Sequence, residues 1–427
     1  MMEQSENPVA SGIVSRRLSN GLKVLVAPRP GCRVATVDMW VNVGSADEPA
    51  AFSGASHFLE HMLFKGTARF SLGQIDHLIE GMGGVLNAAT SHDYTHYHVT
   101  AASASFPKAL DIIADMVANA LLDAEEIDNE REVIIEEYLI MRDNPQSVIW
   151  EELYDRCYES GPYKRSIIGS LESLRGIGRP ELLDYYERHY APENMTLLLV
   201  GDLEPERAFD TAERAFYGFH RALRPFASGV DRETRLAPVA EHVLEKEIHE
   251  TYAMIAFPVP PLRDHEEAYA LDVMQFVLGG GDASMLYQEL KEKRRLVSAI
   301  HTGYPNSRYD DLFHIYFTCE ENKRRDAQDA IFDQLALLGE REVDAPALKR
   351  ARKLLASEHE FNLETTEGES GSIGYFHAIT GDIAYERNYV QGVMSVDAAR
   401  IRDLARQYLS SREAVRLAIR PGGRTNP

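Results

Sequence analysis

Two stretches far apart in the chain, LLDYYERHYAPENMTLLLVGDL (Leu182–Leu203) and IRDLARQYLSSREAVRLAIRPG (Ile401–Gly422), follow one pattern: a helix ending in a tyrosine, a short turn, and an alternating or apolar strand. A unit that closes in this way twice implies two copies of one fold. The length of 427 residues agrees, being too great for one ordinary core and suited to two domains of about two hundred residues each. The expected class is α+β, with two homologous domains, each an antiparallel-rich mixed sheet with helices packed on one face. The expected boundaries are 1–218 and 241–427, joined by a linker over 219–240 that is polar, proline-containing and without a clear period.

Within the first copy, VATVDMWVNVGS reads as a buried strand, and GGVLNAATSHDYTHYHVTAA, which alternates and is rich in Thr, Tyr and Val, as a pair of strands. Between these lies the pentad His57-Phe58-Leu59-Glu60-His61, inside a segment of helical pattern. At 3.6 residues per turn the two imidazoles are one turn apart on one face, so both reach a single ion, and Glu60 lies beside them, free to act on a bound water. This HxxEH order reverses the commoner HExxH without changing the physics. A third protein ligand must come from elsewhere.

The segment Ala124 to Arg142, AEEIDNEREVIIEEYLIMR, reads as a helix crowded with carboxylates. Ile127, Glu130, Ile134, Glu137 and Met141 fall within an arc of roughly 80°, which the three apolar residues mark as buried. Glu132 and Glu136 point away and form a solvated face. A carboxylate on the buried stripe costs several kcal/mol unless a cation relieves it. Glu137 is therefore expected as third zinc ligand, with Glu130 as a supporting or alternative one; pairing of both with Arg or Lys is the competing reading.

These residues carry a resemblance. SGASHFLEHMLFKGT (Ser53–Thr67), GGVLNAATSHDYTHY (Gly83–Tyr97), EREVIIEEY (Glu130–Tyr138), YAPENMTLLLVGD (Tyr190–Asp202) and LGGGDASMLYQELKEKRRL (Leu278–Leu296) resemble the inverzincin metallopeptidases of the pitrilysin and insulin-degrading type, and among them the mitochondrial processing peptidase branch and its bacterial relatives. The resemblance spans nearly the whole chain. It implies a zinc-dependent endopeptidase in which His57, His61 and Glu137 bind one Zn²⁺ per chain, Glu60 is the general base, and Glu130 supports the site. The first domain would be catalytic; in the second, SMLYQELKEKR stands in place of HFLEHML and has no His, so one metal site per chain is expected. The resemblance also puts Asn87 and Ala88 on an edge strand beside the zinc, where an extended peptide substrate could add as a further strand. As a turn residue after Gly83-Gly84, Asn87 would have no such role.

One departure bears on function. Many members carry, in the motif form LREKRGLAY, an Arg and a Tyr that stabilise the substrate oxyanion. The aligned run here is LKEKRRLVS, which places Lys291 and Ser298 at those positions. Lys lacks the planar fork of Arg, and Ser lacks the reach of a phenol. The resemblance therefore implies a homologous partner subunit that supplies Arg and Tyr, making a heterodimer. The alternative is a homodimer in which Arg294, Arg295 or Tyr304 takes the role. A non-catalytic core subunit of a larger complex is the alternative from another functional class.

His92, His96 and His98 form a second histidine cluster. On a strand only His96 and His98 share a face, and no carboxylate pattern accompanies them in sequence, so they are not read as ligands. With 67 acidic against 45 basic residues and a net charge of −22, neither nucleic acid nor an anionic membrane surface is an expected partner. The first residues lack a basic region followed by an apolar core, and three widely spaced cysteines, Cys32, Cys157 and Cys319, suggest reduced thiols; a cytoplasmic setting is expected. GESGS (Gly368–Ser372) lacks the final glycine of a nucleophile elbow and an evident preceding strand.

Overall fold

The computed structural model describes residues 12–226, 234–237, 240–262, 265–410 and 414–422. Most of the centre of the expected linker, 227–233 and 238–239, and the first eleven residues considered for a leader lie outside them. The chain divides into two compact units. One takes in 1–138, 165–231 and 362–383, and the other 139–164, 232–361 and 384–427.

In the first unit, β1 (Val14–Arg17), β2 (Lys23–Pro28), β3 (Val34–Val41), β4 (Val85–Thr90), β5 (Thr95–Ala102) and β6 (Met195–Gly201) form a sheet in the order β1-β2-β6-β3-β5-β4. Every pairing is antiparallel except β2 with β6. The second unit has a five-stranded sheet in the order Ala299–Gly303, Asp311–Cys319, Thr251–Val259, Val415–Pro421, Glu241–Lys246, again with one parallel pair, between the last two. From β2 to β6 the first unit repeats this order strand for strand. The two segments that signal the repeat are the helix Arg179–His189 leading into β6 and the helix Ala398–Tyr408 leading into Val415–Pro421.

Alternation assigns the faces of the first sheet. Tyr97 and Val99 point to one side; Tyr97 there meets Tyr190 at the end of the helix Arg179–His189, hydroxyl to hydroxyl at 2.7 Å. Trp40, Leu198, Val200, Leu25 and Ala27 point to the other side, where they form a core with Ile373 and Ala378. These last two belong to the helix Thr366–Thr380, which lies on β3 and β6 and contains the GESGS stretch. The fit is close: a Cβ on Gly374 would stand 2.1 Å from the Trp40 ring. The first sheet is thus covered by a helix from late in the chain, and in the second unit the helix Pro145–Cys157, from the early part of the chain, packs on Thr251–Val259 and Val415–Pro421.

Candidate metal centre

The pentad lies on the helix Ala55–Leu63, which buries Phe58, Leu59, Met62 and Leu63 and leaves His57, Glu60 and His61 partly accessible. Its N-terminus has no side-chain cap of its own, because Gly54 stands there with φ +94°. Only glycine suits the position, both for that φ and because a Cβ would meet the Ile168 carbonyl oxygen at 2.6 Å. The capping carboxylate comes instead from Glu48, whose Oε2 accepts from the Gly54 amide (2.8 Å) and whose Oε1 accepts from the Ser56 amide (2.7 Å). Glu48 is fully buried, and burial pushes its pKa up to about 7 against the opposing pull of these donors and of Arg165. The Ser56 hydroxyl is joined to Tyr185 Oη at 2.7 Å, so the turn that presents His57 is held from two sides.

The helix Ala124–Asp143 brings the third donor. His57 Nε2 is 3.9 Å and His61 Nε2 3.5 Å from Glu137 Oε2, and the donor atoms of the three residues all lie within 4.8 Å of one another. Ligands at tetrahedral zinc bond lengths stand about 3.4 Å apart, so the three residues fit such an ion with small adjustment. Burial and the neighbouring His61 push His57 down to about 4, which keeps that imidazole neutral with a lone pair to give. Of the stripe that the sequence indicates, Ile127, Glu130 and Ile134 are buried, while Glu137 and Met141 are only half-buried; Glu132 and Glu136 are exposed.

Glu130 sits behind the cluster. One carboxylate oxygen meets His61 Nδ1 at 2.8 Å and the other meets Lys65 Nζ at 2.6 Å. It orients the His61 ring so that Nε2 faces Glu137, and its charge is balanced by the lysine, so the pairing expected of a buried carboxylate is also present here. Glu60 Oε2 accepts from the Thr90 hydroxyl at the end of β4, and burial raises the Glu60 pKa while that hydrogen bond, and then nearby His61 and His96, oppose the rise. Thr90 and Glu48 have no motif to announce them in sequence; a buried acid shortly before a helix that starts on glycine is the one available hint for Glu48.

Asn87 and Ala88 lie on β4, the outer strand of the sheet. The Ala88 amide donates to the Asn87 side-chain oxygen at 2.9 Å. His92 is joined to Ser45 through Nδ1 (2.8 Å). His96 and His98 do share a face, but the reading that no carboxylate accompanies them fails: Asp38 on the adjacent strand β3 is 3.1 Å from His96 Nδ1. Sequence inspection along one strand misses a partner that sheet register brings from another. In the second unit Lys291 lies in a π-helical turn, Tyr287–Lys293, with its ammonium 4.7 Å from the Tyr287 ring centre. The Ser298 hydroxyl is engaged with Glu250 and Thr318, each at 2.6 Å.

Comparison with known proteins gives the family. Residues 23–171 match the model of the insulinase (M16) peptidase family, and residues 176–355 match the model described as the M16 inactive domain. An uncharacterized zinc protease of Streptomyces coelicolor is 27% identical over 402 residues, covering 93% of this chain and 87% of that protein. An uncharacterized zinc protease of Rickettsia bellii is 28% identical, over 92% and 94% of the respective chains. The crystal structure of a protease from Helicobacter pylori shares the fold with TM-score 0.89 at 23% identity, over 96% of this chain and 99% of that one. Two models of one family, laid end to end over the pentad, the acidic helix and the first copy of the repeat, leave one conclusion: the chain belongs to the M16 (insulinase) peptidase family.

Proposed function

We propose that the chain is a zinc-dependent endopeptidase acting on extended peptides or unfolded segments, with His57, His61 and Glu137 as ligands of one zinc ion and Glu60 as general base. The observation that carries the reading is the convergence of His57 Nε2, His61 Nε2 and Glu137 Oε2 with Glu60 on the same helix. When bound, zinc supplies Lewis-acid polarisation of the scissile carbonyl and acidification of a water. Glu60 takes the proton of the attacking water and delivers it to the leaving amine; its burial makes it a stronger base than an ordinary carboxylate. Thr90 holds one of its oxygens and leaves the other for the proton. Glu130 keeps His61 in the tautomer whose Nε2 is the ligand nitrogen.

The substrate backbone adds along β4 at Asn87 and Ala88, where it takes over the Ala88 donor now held by the Asn87 side chain. The oxyanion donors come from a homologous partner subunit carrying Arg and Tyr, in the manner of a processing-peptidase pair. Supporting this is the engagement of Ser298 with Glu250 and Thr318; a homodimer using this chain's own Arg294, Arg295 or Tyr304 is the alternative. A cytoplasmic setting belongs to the same reading. Cys32, Cys157 and Cys319 are free thiols, and among the described residues no helix is long and apolar enough to cross a membrane.

The deciding experiment is Glu60→Gln. Metal content of the purified chain, with and without the homologue, and mass-spectrometric scoring of cleavage in a peptide library should show unchanged zinc and a turnover loss on the order of 10²- to 10⁴-fold. Full activity in that variant would remove Glu60 from the chemistry. A wild-type chain that takes up no zinc at the pentad would leave the scaffold reading in its place.

A further inference from the structure

On the face of the first sheet opposite Tyr97, the register sets Asp38 of β3 directly across from His98 of β5 and Trp40 across from His96. Residues two apart on a strand share a face, so Asp38, His96 and His98 meet there. Their donor atoms, one per residue, lie within 4.8 Å of one another. Asp38 is 2% exposed and His98 8%. The aromatic rings are stacked, Trp40 on His96 at 4.3 Å and His96 on His98 at 5.4 Å, which fixes the imidazoles side by side.

The helix Thr366–Thr380 covers the cluster and supplies what lies behind it. Ser370 donates its hydroxyl to Asp38 Oδ2 (3.0 Å), and Glu367 Oε1 is 3.4 Å from His98 Nε2. The other nitrogen of that ring, His98 Nδ1, is buried without a hydrogen-bond partner. A ring oriented through one nitrogen by a carboxylate, with the second nitrogen left over in a buried site, is the usual disposition of a metal-bound histidine. Asp38 Oδ1 and His96 Nδ1, 3.1 Å apart, are close to the spacing of two ligands on one tetrahedral ion. Two imidazoles and one carboxylate suit a divalent ion of the zinc class.

We propose that Asp38, His96 and His98 form a second metal site, separate from the pentad, which holds a zinc-class divalent ion. Glu367 and Ser370 orient two of its ligands and so tie the helix Thr366–Thr380 to β5, 269 positions before Glu367, and to β3, 332 positions before Ser370. The ion is structural: it neutralises Asp38 and clasps a helix from late in the chain onto the first sheet.

The test counts metal in the full-length chain after equilibration with zinc buffered by a chelator. Wild type should hold two equivalents, the H57A/H61A double variant one, and D38N or H98A one. Adding H98A to the double variant should leave none. Wild type with one equivalent and the double variant with none would overturn the second site while leaving the pentad site intact. The reverse failure is distinguishable, since a pentad that holds no zinc gives one equivalent in wild type and in the double variant alike, lost on H98A. Because the double variant alone already reports the second ion, the result stands even if H98A does not fold. Hydrogen exchange of residues 366–380 should accelerate at least tenfold in D38N relative to wild type at saturating zinc; unchanged exchange would refute the clasp.

Discussion

Replacing Glu48 by Gln tests how the pentad helix is started. The carboxylate accepts from the Gly54 and Ser56 amides in a fully buried site, and its pKa stands at about 7 rather than 4.5. A carboxyl group that the fold prefers protonated contributes stability that is complete below the unfolded pKa and is lost as pH rises through the folded one. Two and a half units at 1.36 kcal/mol each make that contribution about 3 kcal/mol, lost between roughly pH 4.5 and 7. Glutamine keeps one acceptor and turns an amide donor toward the other backbone donor, a cost of about 1 to 3 kcal/mol that does not titrate. Urea unfolding of both chains in the presence of a chelator, from pH 5 to 8, isolates the group as the difference between them. E48Q should be less stable by about 1 to 3 kcal/mol at pH 5, and the gap should narrow or reverse by pH 8. A gap that widens with pH would mean that the two amides and the helix N-terminus keep Glu48 ionised, with donors outweighing burial, and the reasoning from desolvation would be wrong.

Thr90→Val removes the hydroxyl that holds Glu60; kcat should fall about 5-fold, the equivalent of one hydrogen bond of about 1 kcal/mol, with zinc content unchanged. Glu130→Ala frees the His61 ring and strands Lys65, so zinc affinity measured by competition with a chromophoric chelator should drop 10- to 100-fold; an unaltered affinity would return Glu130 to the role of a plain ion-pair partner. Gly54→Ala combines a left-handed φ with a 2.6 Å approach to Ile168, and a loss of more than about 2 kcal/mol is expected in thermal or urea unfolding. A stable G54A chain would show that the turn can relax without disturbing the helix.

The pentad and the acidic stripe are legible in the sequence because that information has a short period. The i, i+4 histidines need only one helical turn, and the stripe of Ile127, Glu130, Ile134 and Glu137 needs only about three turns of one helix. The α+β class follows from alternation in β3 to β5 and from the repeated helix and strand, and it holds for both units, whereas helices cover both faces of the first sheet rather than the one face expected. The missed residues lack any such period. Asp38 stands 58 positions from His96 and becomes its neighbour only through the pairing of β3 with β5, and Thr90 lies 30 positions from Glu60. The segment of His96 and His98 holds no carboxylate pattern of its own, and the carboxylate that meets them stands on the next strand.

The amino-acid order alone thus settled that the chain is built from two copies of an α+β unit and that the first carries two imidazoles and a carboxylate on one helix, since both are properties of contiguous residues. Tertiary structure decided that Glu137 faces the histidines while Glu130 stands behind His61, that Glu48 caps the pentad helix, and that a late helix covers the first sheet while an early one joins the second. Those choices depend on sheet register and on which buried polar groups find partners across long stretches of chain. No local periodicity records such pairings, because they become favourable only when the whole unit has packed.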